Sequence, residues 1–164
     1  RRFPDGINAL VFLLHKPVGL GKAENMITRD NMRFKELITL VNSEDTGYKI
    51  GFDSCTVPAL INNRGSIDLD SLDTCEGARW SAYISSDLKM MPCSFDNEDM
   101  RWAVDLKTHT IEEAWMSSEF EDFRSRLKMS CPECADRNFC MGGCPVRPEI
   151  VLCDKKCNTL EMFY

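Results

Sequence analysis

The sequence predicts an α+β fold, and three observations lead there. The runs Ala9-Leu10-Val11-Phe12-Leu13-Leu14 and Tyr48-Lys49-Ile50-Gly51-Phe52 flank a stretch with helical periodicity, which makes one strand, helix, strand unit over residues 9–52. Two further runs, Trp80 to Ser85 and Leu88 to Pro92, meet at Ser86-Asp87 as a β-hairpin. Short helical patterns and cysteine-rich loops follow instead of more strand and helix alternation.

At 164 residues the chain has room for one ordinary domain or two small ones. It opens Arg1-Arg2-Phe3-Pro4 and soon enters an apolar strand, as expected of a fragment of a longer protein. Lys and Arg number 20 against 26 Asp and Glu, a formal charge of -6. Phosphate binding wants a basic face, so no nucleic-acid partner is expected. No apolar run reaches the ~20 residues of a bilayer crossing. No signal-peptide pattern is present either, so no membrane partner is expected.

The first run, residues 9–14, is apolar without alternation, as in a parallel strand covered on both faces. His15 to Lys22 is a loop, where Pro17, Gly19 and Gly21 end the strand and let the backbone approach a ligand, which makes Gly19 and Gly21 candidate cofactor-binding positions. From Asp30 to Val41, Phe34, Leu37, Ile38 and Val41 share one face of an amphipathic helix, with Arg33, Lys35 and Glu36 opposite. Parallel strands joined in this way carry their functional loops at the carboxyl ends, here Gly19-Leu20-Gly21 and Asp53-Ser54-Cys55.

Pro58 to Asp73 reads as a surface connection containing a short helix, with a turn at Asn62-Asn63-Arg64-Gly65. The hairpin that follows brings Cys75 and Cys93 to the same end of its ribbon. Thr110-Ile111-Glu112-Glu113 opens a helix with a capping box, and Ser118 restarts the pattern with Phe120, Phe123 and Leu127 on one face. Trp115, Phe120 and Phe123 are core candidates. Lys155 to Tyr164 forms a short final helix.

Nine cysteines punctuate the chain, four of them in the run Cys131-x2-Cys134-x5-Cys140-x3-Cys144, with Gly142 and Gly143 leaving the backbone free to wrap around a ligand. Closely spaced soft thiolates indicate a metal centre. A C-x2-C pair chelates a metal far better than it forms a disulfide, which places the chain in a reducing cytoplasm. Cys55, Cys75, Cys93, Cys153 and Cys157 complete the set, and two four-iron centres need eight thiolates. The cysteine-rich run alone could instead fold around one zinc as a structural or interaction module.

The run, preceded by Cys75 and Cys93 and followed by another cysteine, resembles the seven-cysteine signature of the SPASM domain, the C-terminal extension of many radical S-adenosylmethionine enzymes. The resemblance covers roughly residues 50 to 157. The family pattern has a glycine five residues before the second cysteine of the leading pair; here that position is Leu88.

The resemblance implies that residues 1–54 are the last strand, helix, strand portion of a partial parallel barrel and residues 55–164 an auxiliary-cluster domain. It assigns Cys131, Cys134 and Cys140 to one 4Fe-4S cluster, completed by Cys153 or Cys157, with Cys153 favoured because Cys157 lies in a Lys-rich start to the final segment. Cys75, Cys93 and Cys144 would hold a second cluster, whose fourth iron is open or bound by Cys55, the latter being favoured. Cys55 as a buried structural thiol is the alternative. S-adenosylmethionine and a third 4Fe-4S cluster belong to the parent enzyme only, since its C-x3-C-x2-C motif is absent from this sequence. The implied partners are a peptide or protein substrate and an electron donor or acceptor protein, as for maturases that modify peptides. A standalone two-cluster electron carrier is a further reading, against which stands the strand, helix, strand segment.

His15 and His109 are read as satisfied or surface residues, and Asp53 and Glu76 as hydrogen-bonding neighbours of cysteines.

Overall fold

The apolar runs of the N-terminal part form β1 (Ala9–Phe12) and β2 (Lys49–Phe52), which pair in parallel with Ala9 opposite Lys49 and Phe12 opposite Phe52. In this computed structural model the described residues are 6–28, 31–43, 49–62, 72–129, 131 and 133–153. The Phe12 and Phe52 rings stack at 5.5 Å, and Asp53 donates its N–H to the Phe12 carbonyl at 3.0 Å, which extends the pairing past the strand ends. Between the strands lies α1 (Met32–Ser43). The Asn31 side chain accepts the N–H groups of Arg33 and Phe34, leaving fewer orphan donors in the first turn. Ile38 is buried, and Phe34, Leu37 and Val41 on the same face are half-buried.

Two expectations are corrected here. β1 is not covered on both faces: Val11 is 57% and Leu13 74% exposed. Successive side chains point to opposite sides of a strand, and the side bearing Val11 has no covering layer among the described residues. Nor does a surface connection begin at Pro58. A 3-10 turn at Ser54–Thr56 leads into α2 (Val57–Asn62), in which Val57, Pro58, Ala59, Leu60 and Ile61 are all buried. Pro58 fits there because the first helical turn needs no N–H from it. The rest of that connection, 63–71, lies outside the described residues, as does the final helix expected from Lys155.

Contacts divide the chain into two compact units, one of Arg1–Thr74 with the stretch from Ile150, the other starting at Cys75 and running to Glu149. The second unit holds an antiparallel sheet of β3 (Tyr83–Ile84), β4 (Lys89–Met91) and β5 (Val104–Asp105), in that order. The sequence reading anticipated the β3–β4 hairpin but not β5, which is two residues long and too short to show a period. Lys89 and Asp105, cross-strand partners, close a 2.6 Å ion pair.

Thr110 and Glu113 form the expected capping box at α3 (Ile111–Trp115), and α4 (Ser118–Met129) follows. Phe120, Phe123 and Leu127 are buried, joining Ala78, Met90, Trp102, Val104, Ala114 and Met141 in one core against which Cys75 and Trp115 pack. The α+β class is therefore observed, with a small parallel pair in one unit and a sheet-and-helix core in the other.

The hairpin turn explains the Leu88 position. Leu88 donates its N–H to the Ser85 carbonyl at 3.0 Å, Ser85 donates to Lys89 at 2.9 Å, and Leu88 sits at φ +66°. A turn followed by one left-handed residue is the geometry in which glycine is favoured. A side chain there costs about 1–2 kcal/mol, of which the greater chain freedom of glycine when unfolded returns about 0.5–1. Leu88→Gly should therefore raise stability by about 0.5–1 kcal/mol in urea unfolding. Leu88→Ala, which keeps the strain, should give no gain.

Candidate metal centre

Cys75 enters the second unit just before a tight turn. The Glu76 carbonyl accepts the N–H groups of Arg79, Trp80 and Ser81, and Ala78 N–H donates to the Ser81 carbonyl. Ala78 adopts φ +53°, and its carbonyl accepts from Arg124 Nε at 2.7 Å while Arg124 Nη2 reaches the Trp115 carbonyl. One arginine on α4 thus anchors the turn after Cys75 to the end of α3.

Gly77 seats this turn against the strand that leads to Cys93. A Cβ on Gly77 would lie 3.0 Å from the Pro92 carbonyl oxygen and 3.2 Å from the Phe123 ring, so a side chain here would require these neighbours to give by a few tenths of an ångström. Cys93 then precedes a 3-10 turn, Ser94–Asn97, and its carbonyl accepts the Asp96 N–H at 3.1 Å. The fully buried Asp96 carboxylate accepts the N–H groups of Arg101 and Trp102, folding the chain back towards β5. Burial pushes the Asp96 carboxyl above the usual range, and those two N–H groups pull against the rise.

Cys75 and Cys93 feel each other. Burial pushes the Cys75 thiol up, a hydrogen bond from the Gly77 backbone opposes it, and the nearby Cys93 adds to the rise. Metal ligation must displace that proton, because the thiolate is the ligand.

The cysteine-rich run is built from short turns. Cys134 N–H donates to the Cys131 carbonyl, Arg137 N–H to the Cys134 carbonyl, and α5 (Arg137–Cys140) follows. Met141, Gly142 and Gly143 all have positive φ, +60°, +78° and +93°. The two glycines thus supply the wrap expected of them, and Met141 joins it while planting its side chain in the core that Cys75 packs against. Cys144 Sγ accepts the Arg147 N–H at 3.3 Å, and Val146 packs on that same core.

The structure therefore brings Cys75 beside Cys93 and places the Cys140–Cys144 loop on the same core. Cys131 is buried and held in a disulfide, so it must be reduced before it can ligate. Cys55, Cys75, Cys93, Cys134, Cys140, Cys144 and Cys153 are outside any disulfide and half-buried. Cys55 and Cys153 belong to the first unit, and Cys157 lies outside the described residues. Among the described residues no group of three or more His, Cys, Asp or Glu side chains is gathered closely enough to hold a metal ion.

At the carboxyl ends of β1 and β2, Asp53 accepts from Lys16 Nζ at 2.5 Å and from the Thr56 N–H and hydroxyl. Gly19 stands at φ +57°, and a Cβ on Gly21 would fall 2.2 Å from the Lys16 carbonyl oxygen, which only glycine avoids. His15 Nε2 contacts the Lys22 carbonyl, and His109 is exposed.

Sequence reasoning missed three residues that hold the turns after Cys93 and Cys144: Asp96, Arg147 and its partner Glu98. Arg147 follows Cys144 by three positions, and that proximity was the one local signal. Its guanidinium pairs with Glu98 and, at 3.9 Å, with Glu149, while its Nε is the one buried side-chain nitrogen or oxygen among the described residues with no hydrogen-bond partner. Soft thiolates are the donors an iron-sulfur group takes. No described helix is long and apolar enough to cross a membrane.

Residues 75–137 match the family model of SPASM, an iron-sulfur cluster-binding domain. No curated protein and no solved structure matches the chain. The match begins at Cys75, two residues before the glycine that lies against Pro92, and ends inside the cysteine-rich run, so the similarity to an iron-sulfur cluster-binding domain covers the turn, the hairpin and the helices that lead to that run.

Proposed function

We propose that this chain is the auxiliary-cluster portion of a radical S-adenosylmethionine enzyme that modifies a peptide or protein. It would hold two 4Fe-4S clusters, one on Cys131, Cys134, Cys140 and Cys153 or Cys157, the other on Cys75, Cys93 and Cys144 with Cys55 as its fourth ligand. The observation that supports this most is the shared core: Cys75 packs against the cluster of buried residues to which Met90 of β4 and Met141 of the Cys140–Cys144 loop both belong. The clusters supply one-electron transfer. The residues around them supply the thiolates, the buried surroundings and the fixed loops that such transfer needs.

In this reading residues 1–54 are the end of the partial barrel and residues 55–164 the auxiliary domain. The parallel β1–β2 pair and the Gly19 and Gly21 loop at its carboxyl end support the barrel assignment. S-adenosylmethionine and the cluster that cleaves it would sit in the parent enzyme, outside this sequence. An electron donor or acceptor protein and a peptide substrate are the partners, in a cytoplasm that keeps the thiols reduced.

Anaerobic reconstitution of the reduced chain with iron and sulfide tests this. Roughly eight irons and eight sulfides per chain with absorbance near about 400 nm are expected. Zinc retained in preference to iron under those conditions would favour the structural zinc module, and about four irons would leave one cluster.

A further inference from the structure

We propose that the outer edge of β3 takes a short extended peptide as an added strand. This deepens the reading that the parent enzyme acts on a peptide, and it names where that peptide's backbone is held.

β3 is the end strand of the β3–β4–β5 sheet. Tyr83 is paired with Met91 and Ile84 with Met90, and at the next pair the Ser85 N–H donates to the Lys89 carbonyl at 2.9 Å. Bonded and unbonded pairs alternate in an antiparallel ladder, so Tyr83 turns its N–H and C=O towards β4, while those of Ala82 and Ile84 point outward. The residue before them is already satisfied: Ser81 donates its N–H to the Glu76 carbonyl, and its own carbonyl accepts from Ala78. The N–H and C=O groups of Ala82 and Ile84 have no hydrogen-bond partner among the described residues, and Ser81, Ala82, Tyr83 and Ile84 are all exposed.

Exposed edges are usually blunted by proline, lysine or a bulge, and Ser81-Ala82-Tyr83-Ile84 contains neither of those residues. Trp80, just before it, is 78% exposed. An extended backbone is the ligand whose donors and acceptors repeat at the spacing of two alternate strand residues. Ala82 and Ile84 lie on the side of the sheet that carries Met90, so every second side chain of the added strand falls beside them, where uncharged residues fit. A stable dimer buries about 800 Å² on each partner. One strand with a pair of outward residues offers far less, which favours a short peptide over a second copy of this chain.

The test is hydrogen–deuterium exchange of the full chain, read by mass spectrometry over residues 80–88, with and without a synthetic peptide of alternating threonine and valine closed by a lysine at each end. Saturating peptide should protect about two amides in that segment, those of Ala82 and Ile84, and the same peptide N-methylated at every central residue should protect none. Ala82→Pro, which removes an outward N–H that the sheet does not use, should weaken binding about threefold to tenfold. If that variant does not fold, Ile84→Lys, which sets a guarding charge on the edge, should weaken binding in its place. Unchanged exchange over 80–88, or equal protection by the N-methylated peptide, overturns the inference. So does protection that grows with chain concentration in the absence of peptide, which would make a second copy the occupant. Iron separates this inference from the cluster reading: a chain holding roughly eight irons that leaves 80–88 unprotected sinks the inference alone, and a chain that binds the peptide here but takes up no iron sinks the cluster reading alone.

Discussion

Cys93→Ala should halve the iron bound by the anaerobically reconstituted chain, from roughly eight atoms to roughly four. Cys93 ends the hairpin next to Cys75, and Gly77 packs directly on Pro92, the residue before it. A four-iron centre that loses one of its thiolates is held less firmly and is expected to be lost on desalting. Cys134→Ala should remove the complementary half, since Cys134 sits in the separate turn of the cysteine-rich run. The two variants combined should leave almost none. Iron analysis and sulfide assay decide the matter: full iron in Cys93→Ala, or equal loss from both centres in either single variant, contradicts the division of ligands. Cys55→Ala asks a further question, because a cluster fully ligated by protein loses stability on that change while one with an open iron does not.

Phe123→Ala should destabilise the chain by about 3–5 kcal/mol, the usual cost of emptying a fully buried aromatic site. Phe123 is 1% exposed and meets Trp102 edge-on at 5.2 Å and 86°. Its ring also lies 3.2 Å from where a Gly77 Cβ would stand, so it backs the turn that follows Cys75. The cavity would remove support from the site as well as from the core. Urea unfolding of the reduced chain measures the cost, and Phe123→Leu, which fills most of the space, should cost less than about 2 kcal/mol. Reconstituted Phe123→Leu should hold its iron less firmly at the Cys75 and Cys93 centre than at the other when challenged with a chelator. A loss below about 1 kcal/mol in Phe123→Ala would mean that the core around Cys75 is not packed as described.

Much of the second unit could be read from local patterns. Thr110 and Glu113 cap α3 because their spacing lets each side chain reach the other's backbone, a relation contained within four residues. Phe120, Phe123 and Leu127 are buried because helical spacing puts them on one face. The apolar stretch from Val57 was harder, since Pro58 beside a polar segment suggests a surface turn, yet a proline in a first helical turn leaves the apolar side chains free to bury. Leu88 at a left-handed position could not be foreseen from leucine, which rarely adopts it. The hairpin was legible from the runs on either side of Ser86-Asp87, but only comparison with a pattern that has glycine at position 88 pointed at the left-handed residue.

What the sequence determined by itself was the donor set and the elements: nine thiols, two glycines before Cys144, a capping box and a strand, helix, strand order. These depend on residue chemistry and on spacings within a turn or two of chain. Tertiary structure alone decided which thiols are neighbours and which charges pair. Cys75 comes near Cys93 where Gly77 lies against Pro92, and Arg147 meets Glu98 across 49 positions, because packing rather than periodicity brings distant segments into contact.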